Sequence, residues 1–353
     1  MISGDALVFT LGLLDQGFAK TAHGLIRGSD RFKVKAIIDP AFAGKDAGEV
    51  MDGTPRGIAI YEDIDRAIQA HPSIQYAIVG IAPIGGKLPQ VLIDQLLICA
   101  QKGLSIVSGL HEYVSDQPAI VEAVKKSGGT ITDIRKPKAK SELHFWTGKI
   151  FDIPCPIIAV IGMDCAIGKR STTRFLLEGC RKAGLNAHMI STGQTGWMQD
   201  GRYGFVLDST YNDFVSGELE YWILSCYEHE KPDVIFLEGQ SSLRNPSGPC
   251  GSELLVSGNA KKVILLHAPK RKYFDDDPKW GEIPAVQSEI ALIKMYGSEV
   301  IGIALNTKGC SLDEAINYKE GIAKDTGIKV ALPLEEGVQD LILEIKKSIP
   351  VSR

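Results

Sequence analysis

The sequence has no cysteine pair in the C-x-x-C spacing, although seven cysteines are scattered along its 353 residues. This pattern excludes the common zinc sites and a disulfide framework, and free thiols are typical of a reducing cytoplasm. The first residues lack the positively charged start and apolar core of a signal peptide. No apolar run approaches the roughly 20 residues that a membrane-spanning helix needs. We therefore expect a cytoplasmic protein with no membrane partner.

An excess of positive charge is also absent. Lysine and arginine together number 39, and aspartate and glutamate 43, which gives a net charge of −4. Nucleic acid is not an expected partner, because domains that bind it normally carry a basic surface. The hydrophobic fraction of 44% is typical of a folded globular chain. We expect a small molecule as the substrate, and we expect a homo-oligomer.

What the sequence does contain is an alternation of short apolar runs with amphipathic stretches, which is typical of parallel α/β domains. In the first half the predicted strands are Ala6–Leu11, Lys33–Asp39, Tyr76–Ile81, Leu104–Val107 and Thr130–Ile134. In the second half they are Ile157–Gly162, Ala187–Ile190, Val234–Glu238, Val263–His267, Val300–Leu305 and Lys329–Leu332. The length predicts two domains. Pro154 and Pro156 indicate an extended linker, and we place the boundary there, with domains at 1–152 and 153–353.

The first domain is predicted to be a doubly wound, Rossmann-like sheet. Its first strand is followed by Gly12 and Gly17, which do not form the G-x-G-x-x-G spacing of dinucleotide-binding domains. Asp39 closes the second strand, as a ribose-binding acid would. The pattern favours a Rossmann-like fold without a bound nicotinamide.

The clearest motif runs from Gly162 to Thr172, with the sequence GMDCAIGKRST, between an apolar strand and a helix. This context indicates a P-loop, whose backbone N–H groups and lysine bind phosphate oxygens. Five residues separate its glycines, as in dethiobiotin synthetase, and Arg170 stands where a magnesium-binding hydroxyl would follow Lys169, which would shift that role to Ser171 or Thr172. The predicted cofactor-binding residues of this motif are Gly162, Asp164, Ala166, Ile167, Gly168, Lys169, Arg170, Ser171 and Thr172.

Other polar residues follow predicted strands, where open α/β sheets bind their ligands. Glu238 ends a buried strand, as a Walker-B-like acid would, although a solvated acid is as common there. Gln194 lies in a stretch with two glycines and three hydroxyls, and Asn306 resembles a nucleotide-base asparagine, although a turn asparagine is equally typical. In the first domain, His111 is either a general base or a hydrogen-bond donor to a carboxylate, or it is a turn histidine. Arg135 is either a carboxylate clamp or a surface arginine.

These segments together resemble one family of two-domain proteins, with a Rossmann-like N-terminal domain and a dethiobiotin-synthetase-like P-loop domain. Its members include D-glutamate N-acetyltransferases. The segments that carry the resemblance are Lys20–Ala22, Gly80–Gly86, Ser108–Glu112, Asp133–Pro137, Asp164–Cys165, Gly168–Lys169, Thr192–Gly196, Asp208, Asp213–Gly217 and Glu238–Gln240. Ser241 departs from the glycine expected at that position. The resemblance implies transfer of an acetyl group from acetyl-CoA to the amine of D-glutamate or a similar D-amino acid.

An acetyltransferase needs a base for the substrate amine and donors for the developing oxyanion. Asp213 and Glu238 are the predicted bases, with His111 as a third catalytic candidate, and no metal ligand is assigned. The predicted substrate contacts are Arg135, Thr195, Gln240 and Arg244. The alternatives are a ligase or kinase that uses ATP and Mg²⁺, as dethiobiotin synthetase does, and a non-catalytic nucleotide or metabolite sensor.

Overall fold

The computed structural model describes residues 2–199 and 202–350. The chain forms two compact units, the first comprising Met1–Lys138 with Gln194–Arg202 and the second Ala139–Gly193 with Tyr203–Arg353. The outer ends of both predicted domains, residue 1 and residues 351–353, lie outside the described residues. Among the described helices, none combines the length and the apolar character that crossing a bilayer requires.

The first unit contains a sheet of six parallel strands. Its strands are β1 (Gly4–Phe9), β2 (Phe32–Ile38), β3 (Ala59–Tyr61), β4 (Tyr76–Val79), β5 (Ser105–Ser108) and β6 (Ile131–Asp133). Its first five helices are α1 (Lys20–Arg27), α2 (Ala47–Asp52), α3 (Ile64–Ala70), α4 (Gln90–Gln101) and α5 (Pro118–Ser127). The strand order is β3-β2-β1-β4-β5-β6. Strand numbers fall up to β1 and rise from β4 onward, although all strands are parallel, and this order defines the predicted Rossmann-like, doubly wound sheet.

The second unit contains another sheet of six parallel strands. Its strands are β7 (Ile157–Gly162), β8 (Ala187–Ile190), β9 (Val234–Glu238), β10 (Lys262–His267), β11 (Glu299–Leu305) and β12 (Val330–Ala331). Its helices are α6 (Lys169–Lys182), α8 (Asn212–Glu230), α9 (Ser252–Val256), α10 (Val286–Met295), α11 (Leu312–Thr326) and α12 (Gln339–Ser348). The order is β12-β11-β10-β7-β9-β8, so β7 lies inside the sheet with β10 and β9 beside it.

The middle residues of the central strands are apolar because both faces of each sheet are covered. In β7, Ile158 and Val160 pack into one hydrophobic cluster, whereas Ala159 and Ile161 pack into the cluster on the other face. Alternation of this kind is what a parallel sheet between two helical layers requires. The α/β fold class predicted from the apolar runs is therefore confirmed.

Asp39 follows β2, where a ribose-binding acid would lie, but its carboxylate has local partners. It accepts hydrogen bonds from the Thr10 hydroxyl at 2.6 Å and from the Ala41 N–H at 3.1 Å, and the residue is fully buried. The carboxylate therefore holds the turn after β2 against the turn after β1.

The helix α7 (Gln194–Gln199) comes from the second half of the sequence but belongs to the first unit. Met198 is fully buried in the core cluster of the first sheet. The Gln199 side-chain amide donates to the carbonyls of Gly24 and Gly28, at 2.7 and 2.8 Å. The glycine- and hydroxyl-rich stretch interpreted as a ligand loop therefore begins a short helix that packs on α1.

The predicted boundary after Asp152 differs from the observed division after Lys138. The intervening residues 139–152, here called the strap, pack on the second unit because α8 carries two buried acceptors for their backbone. Glu218 accepts from the His144 N–H at 3.1 Å, and Glu220 accepts from the Thr147 N–H and from the Ile150 N–H, the latter at 3.2 Å. Both carboxylates are 1% exposed. Two glutamates on one helix thus fix the strap to the second unit.

The strap crosses α8 at Gly217, and a larger residue there should release it. A Cβ atom at Gly217 would lie 1.9 Å from the His144 carbonyl oxygen. We expect Gly217→Ala to lower the free energy of unfolding by about 1–3 kcal/mol, which is the usual range for overpacking. Urea unfolding and limited proteolysis of the strap measure this effect.

Gly321→Ala provides the matched control, since Gly321 is also helical but its Cβ would meet nothing within 4 Å. We expect this control to stabilise the protein by about 0.5–1 kcal/mol, because alanine is the better helix former. Equal effects of the two substitutions would contradict the close approach of the strap.

Candidate functional site

The P-loop motif Gly162–Thr172, here called the phosphate loop, has the strand–loop–helix structure predicted from the sequence. β7 ends at Gly162 and α6 begins at Lys169. Two residues between them have left-handed backbone conformations, Ala166 with φ 51° and Gly168 with φ 99°. Residues other than glycine are uncommon in the left-handed region, so Ala166 lies in a sharp bend of the backbone that surrounding contacts must stabilise. Left-handed residues at alternate positions turn successive backbone N–H groups toward one side, which forms a concave anion-binding site before the N-terminus of a helix.

Lys169 is held inside this loop. It is 6% exposed, and its Nζ donates to the Asp164 carbonyl oxygen at 2.6 Å. A Cβ atom at Gly239 would meet the lysine Cδ at 3.2 Å, so that glycine leaves room for the stem. Burial lowers the pKa of Lys169 to about 8, against the opposing effect of nearby acidic groups. The ammonium is therefore still the main form at neutral pH.

Glu238 lies beside the phosphate loop, as the Walker-B-like interpretation expects. It ends β9, pairs with Val160 of β7 and is 3% exposed. Its Oε2 accepts from the Thr192 N–H at 3.0 Å. Burial raises the pKa of Glu238, while the Arg170 guanidinium and the N–H groups of Thr192 and Gly193 act in the opposite direction. The carboxyl group of Glu238 is thus buried and held in place by a backbone N–H donor.

Asp164 anchors the phosphate loop to two distant segments. The residue is 1% exposed. Its Oδ1 accepts from the Asn245 side-chain amide at 2.9 Å, and its Oδ2 accepts from Arg271 at 2.8 Å and from the Asp275 N–H at 2.9 Å. Arg271 also donates to the Cys165 carbonyl oxygen at 2.8 Å. Sequence analysis assigned no role to Asn245, Arg271 or Asp275.

The same place brings three potential metal ligands together. One ligand atom each of Asp164, Cys165 and Asp275 lies within 4.8 Å of the others. The Asn245 amide nitrogen donates to Asp164 and to Asp275, both at 2.9 Å, and to the Cys165 sulfur at 3.5 Å. The Asn245 amide and the Arg271 guanidinium therefore place hydrogen-bond donors and a positive charge where a cation would have to lie. These residues do not fit a metal ion.

Cys165 is not poised as a nucleophile. Its thiol donates to the Ser241 hydroxyl at 3.3 Å. Burial raises the pKa of Cys165, so the thiol is protonated at neutral pH, whereas the reactive form is the thiolate.

Asn306 supports the phosphate loop from β11. Its side-chain amide donates to the Ile167 carbonyl oxygen at 2.9 Å, and its backbone N–H donates to the His267 carbonyl oxygen at 2.8 Å. Its amide nitrogen thus contacts the loop itself, and contact with a nucleotide base stays a prediction. Ser171 is half-buried and Thr172 is 5% exposed, both in the first turn of α6.

The three predicted catalytic residues lie in different surroundings. His111 is exposed in the first unit, and its N–H donates to the Gly86 carbonyl oxygen at 3.1 Å. Asp213 is exposed in the first turn of α8, where a negative side chain stabilises the helix through its dipole. Glu238, in the same unit as Asp213, is buried beside the phosphate loop. Their catalytic roles stay predictions.

Gln194 and Thr195, two predicted ligand residues in the first unit, contact Arg135 and α1, respectively. Arg135 is 7% exposed and donates to the Gly109 carbonyl oxygen and to the Gln194 side chain, both at 2.8 Å. The Thr195 hydroxyl lies 3.1 Å from the Thr21 hydroxyl. Arg135 therefore positions α7 within the first unit, and its role as a carboxylate clamp stays a prediction.

Two predicted substrate residues of the second unit also have protein partners. Arg244 donates through Nε to Glu289 at 2.7 Å, and through Nη1 to the Ser288 hydroxyl at 2.9 Å. Gln240 donates to the Thr192 hydroxyl at 3.0 Å, and that hydroxyl donates to the Glu238 carbonyl oxygen at 2.6 Å. Gln240 therefore joins the segment around Glu238, whereas Arg244 is fixed to α10.

A Rossmann-like unit and a second unit built around a buried P-loop lysine define this chain as a two-domain P-loop protein. The chain belongs to the DUF1611 family. Residues 40–137 match its N-terminal Rossmann-like domain, and residues 144–342 match its C-terminal P-loop domain, both described as domains of unknown function. The match to the P-loop domain begins within the strap, in accord with its packing on the second unit.

Curated relatives with a named activity cover most of the chain. A D-glutamate N-acetyltransferase of Tritonibacter scottomollicae is 27% identical over 271 residues, 75% of this chain and 79% of the relative. A protein of the same name from a Pseudoalteromonas species is 26% identical over 275 residues, 76% of this chain and 80% of the relative.

A solved structure is similar over nearly the whole length. The crystal structure of a DUF1611 family protein from Anabaena variabilis superposes with a TM-score of 0.89 at 25% identity. The match covers 98% of this chain and 100% of the other.

Proposed function

We propose that this protein is an N-acetyltransferase that transfers the acetyl group of acetyl-CoA to the amine of D-glutamate or a related D-amino acid. The observation that carries the proposal is its similarity, over about three quarters of its length (75%), to a protein of that named activity. The phosphate loop supplies a place for the donor, because coenzyme A carries a pyrophosphate and a 3′-phosphate. In this proposal Lys169 and the loop N–H groups bind one of these phosphates.

The reaction joins the amine nitrogen to the acetyl carbonyl carbon and breaks the carbon–sulfur bond of the thioester. The amine must be uncharged when it attacks, so a base accepts its proton, and the departing CoA thiolate takes up a proton. Asp213 and Glu238 are the candidates for that base. Asp213 is exposed to solvent, whereas Glu238 is buried and already accepts a hydrogen bond from the Thr192 N–H.

The test is thiol release from acetyl-CoA when amino acids of either hand are added to the purified protein. We expect release with D-glutamate or a close relative, accompanied by an N-acetylated product in the mass spectrum. The same reactions with ATP and Mg²⁺ examine the alternative, which predicts ADP formation. No thiol release with any amino acid would overturn the proposal.

The affinity for CoA should fall as the pH rises through about 8, the pKa of Lys169 in the folded protein. Below this pH the ammonium is already charged, whereas above it phosphate binding must first restore the proton. The loss can reach about tenfold per pH unit, which is the limit for one linked proton. Calorimetry at pH 7, 8 and 9, in buffers of different ionisation enthalpy, should detect proton uptake at the highest pH.

Lys169→Arg is the matched variant for this experiment, because a guanidinium stays charged over the whole range. Its CoA affinity should be independent of pH between 7 and 9. A flat profile for the unmodified protein would show that the charge of Lys169 does not govern binding.

A further inference from the structure

We propose that Arg170 takes the position of a divalent cation in the phosphate site, so that this protein binds the phosphates of its ligand without Mg²⁺. The inference rests on the proposed function to the extent that both use the same phosphate loop. It names a property of that site: its charge is balanced by fixed protein cations.

The residue order around Lys169 does not provide the usual magnesium ligand. In a P-loop, the hydroxyl that directly follows the lysine binds Mg²⁺. Here that residue is Arg170, the second residue of α6, and a guanidinium has five donors and no acceptor. Ser171 is one residue further along, which turns its side chain by about 100° around the helix relative to position 170.

The acid that would hold the magnesium ion or its water already faces a positive charge. Glu238 ends β9 beside β7, and the Gly239 N–H donates to the Val160 carbonyl oxygen at 3.0 Å. Burial raises the pKa of Glu238, and among the influences that oppose it the charge of Arg170 is the largest. The charge of Arg170, in the first turn of α6, therefore acts on Glu238 at the end of β9. This pair occupies the two positions, after the lysine and at the strand end, that would otherwise share the metal.

A second carboxylate near the loop is also unavailable to a cation. Within residues 2–199 and 202–350, the group of ligand side chains with metal-binding proximity is that of Asp164, Cys165 and Asp275. Asn245 and Arg271 donate into that group, as described above. Each buried acid of the phosphate site thus has a positive charge of the protein as its neighbour.

Arginine is well suited to this role because its planar guanidinium binds phosphate through two parallel hydrogen bonds and stays charged at every relevant pH. With Lys169 beside it, the site offers two side-chain charges in addition to the helix N-terminus. The ligand class that fits is a phosphate monoester or diphosphate bound in its metal-free form, which describes the phosphates of coenzyme A.

Calorimetric titration with CoA, in EDTA and in MgCl₂, tests the proposal directly. We expect the unmodified protein to bind CoA with the same affinity, within about twofold, in both buffers. Arg170→Ser restores the lysine–hydroxyl order, and we expect it to lose at least about tenfold in affinity in EDTA and to regain part of this with Mg²⁺. Arg170→Lys keeps the charge, so we expect it to bind more weakly than the unmodified protein but equally in both buffers.

Arg181→Ser is the matched control. Arg181 lies in the last turn of α6, where it donates to the Ala187 carbonyl oxygen at 3.0 Å. We expect this variant to bind CoA like the unmodified protein in both buffers, which separates loss of the site from general damage to the helix.

Two results would overturn the inference: binding by the unmodified protein that requires Mg²⁺, or unchanged binding by Arg170→Ser in EDTA. ATP serves as a second probe that separates this inference from the proposed function. If ATP binds in EDTA through Arg170 while CoA does not bind, the inference stands and the acetyltransferase proposal fails. If CoA binds in EDTA through Arg170 but no acetyl group is transferred, the inference about Arg170 again stands and the acetyltransferase proposal again fails. If neither probe binds, both proposals fail.

Discussion

Lys169→Met is expected to weaken CoA binding about 100-fold at pH 7, and kcat/KM for acetyl transfer should fall with it. The substitution keeps the length of the stem but removes the ammonium that is held inside the phosphate loop, 6% exposed. Hydrogen bonds to charged groups contribute about 1.5–3 kcal/mol, and the upper part of that range applies to a shielded contact with a phosphate. The fold should be retained, because a buried ammonium is itself costly and methionine fills similar space.

Calorimetry with CoA gives the affinity, and a urea titration gives the free energy of unfolding. The matched control is Lys182→Met, at the other end of the same helix, which should leave CoA affinity unchanged. An unaltered affinity in Lys169→Met would mean that the phosphates bind elsewhere in the protein. A large loss of stability would mean that the lysine is structural.

Asp164→Ala should lower the free energy of unfolding of the second unit by about 3–5 kcal/mol, the range for breaking a buried ion pair. Asp164 is 1% exposed and accepts hydrogen bonds from Asn245, Arg271 and the Asp275 N–H. Removing the carboxylate leaves all three donors without this acceptor, and it leaves the Arg271 guanidinium, whose side chain is 16% exposed, without its buried counter-charge. The phosphate loop should lose its attachment to the segment after β10.

Asp276→Ala is the internal comparison, because Asp276 pairs with the same arginine at 3.5 Å but its side chain is 67% exposed. Exposed ion pairs contribute about 0–1 kcal/mol, so this variant should unfold almost like the unmodified protein. Urea unfolding of the two variants side by side measures the difference. Similar midpoints for both would show that burial of Asp164 adds nothing to its pairing.

Most of the strands and the phosphate loop could be predicted from local sequence, because buried parallel strands are short apolar runs with polar ends. The prediction of Ile157–Gly162 coincides with β7, and that of Val234–Glu238 coincides with β9. β3 (Ala59–Tyr61) was not predicted, since an edge strand of three residues with one buried side chain has no distinguishable pattern.

The attachment of the phosphate loop could not be predicted, since its partners are distant in the sequence. Asn245 lies 81 residues from Asp164, and Arg271 lies 107 residues away. A buried acid inside an anion-binding loop does indicate that a cation must neutralise it. Nothing local distinguishes Arg271 from the other arginines of the chain.

The buried acids of α8 were also missed, and the reason is physical. Glutamates within a helix are usually solvated, so Glu218 and Glu220 are typical of an exposed helix face. Their burial arises because the strap brings unpaired backbone N–H groups to them. Pro154 and Pro156 do mark an extended segment, but they follow the strap, so the predicted boundary came later than the observed one.

Because α7 belongs to the first unit, a single cut in the chain cannot separate the two units into complete fragments. A genetic cut at residue 152 or at residue 138 would yield an N-terminal fragment without Met198, which is fully buried in its core, and a C-terminal fragment carrying that helix with no place to pack it. Neither fragment should behave as an autonomous folding module. When the two fragments are mixed, we expect them to associate, because α7 of the C-terminal fragment completes the core of the N-terminal fragment.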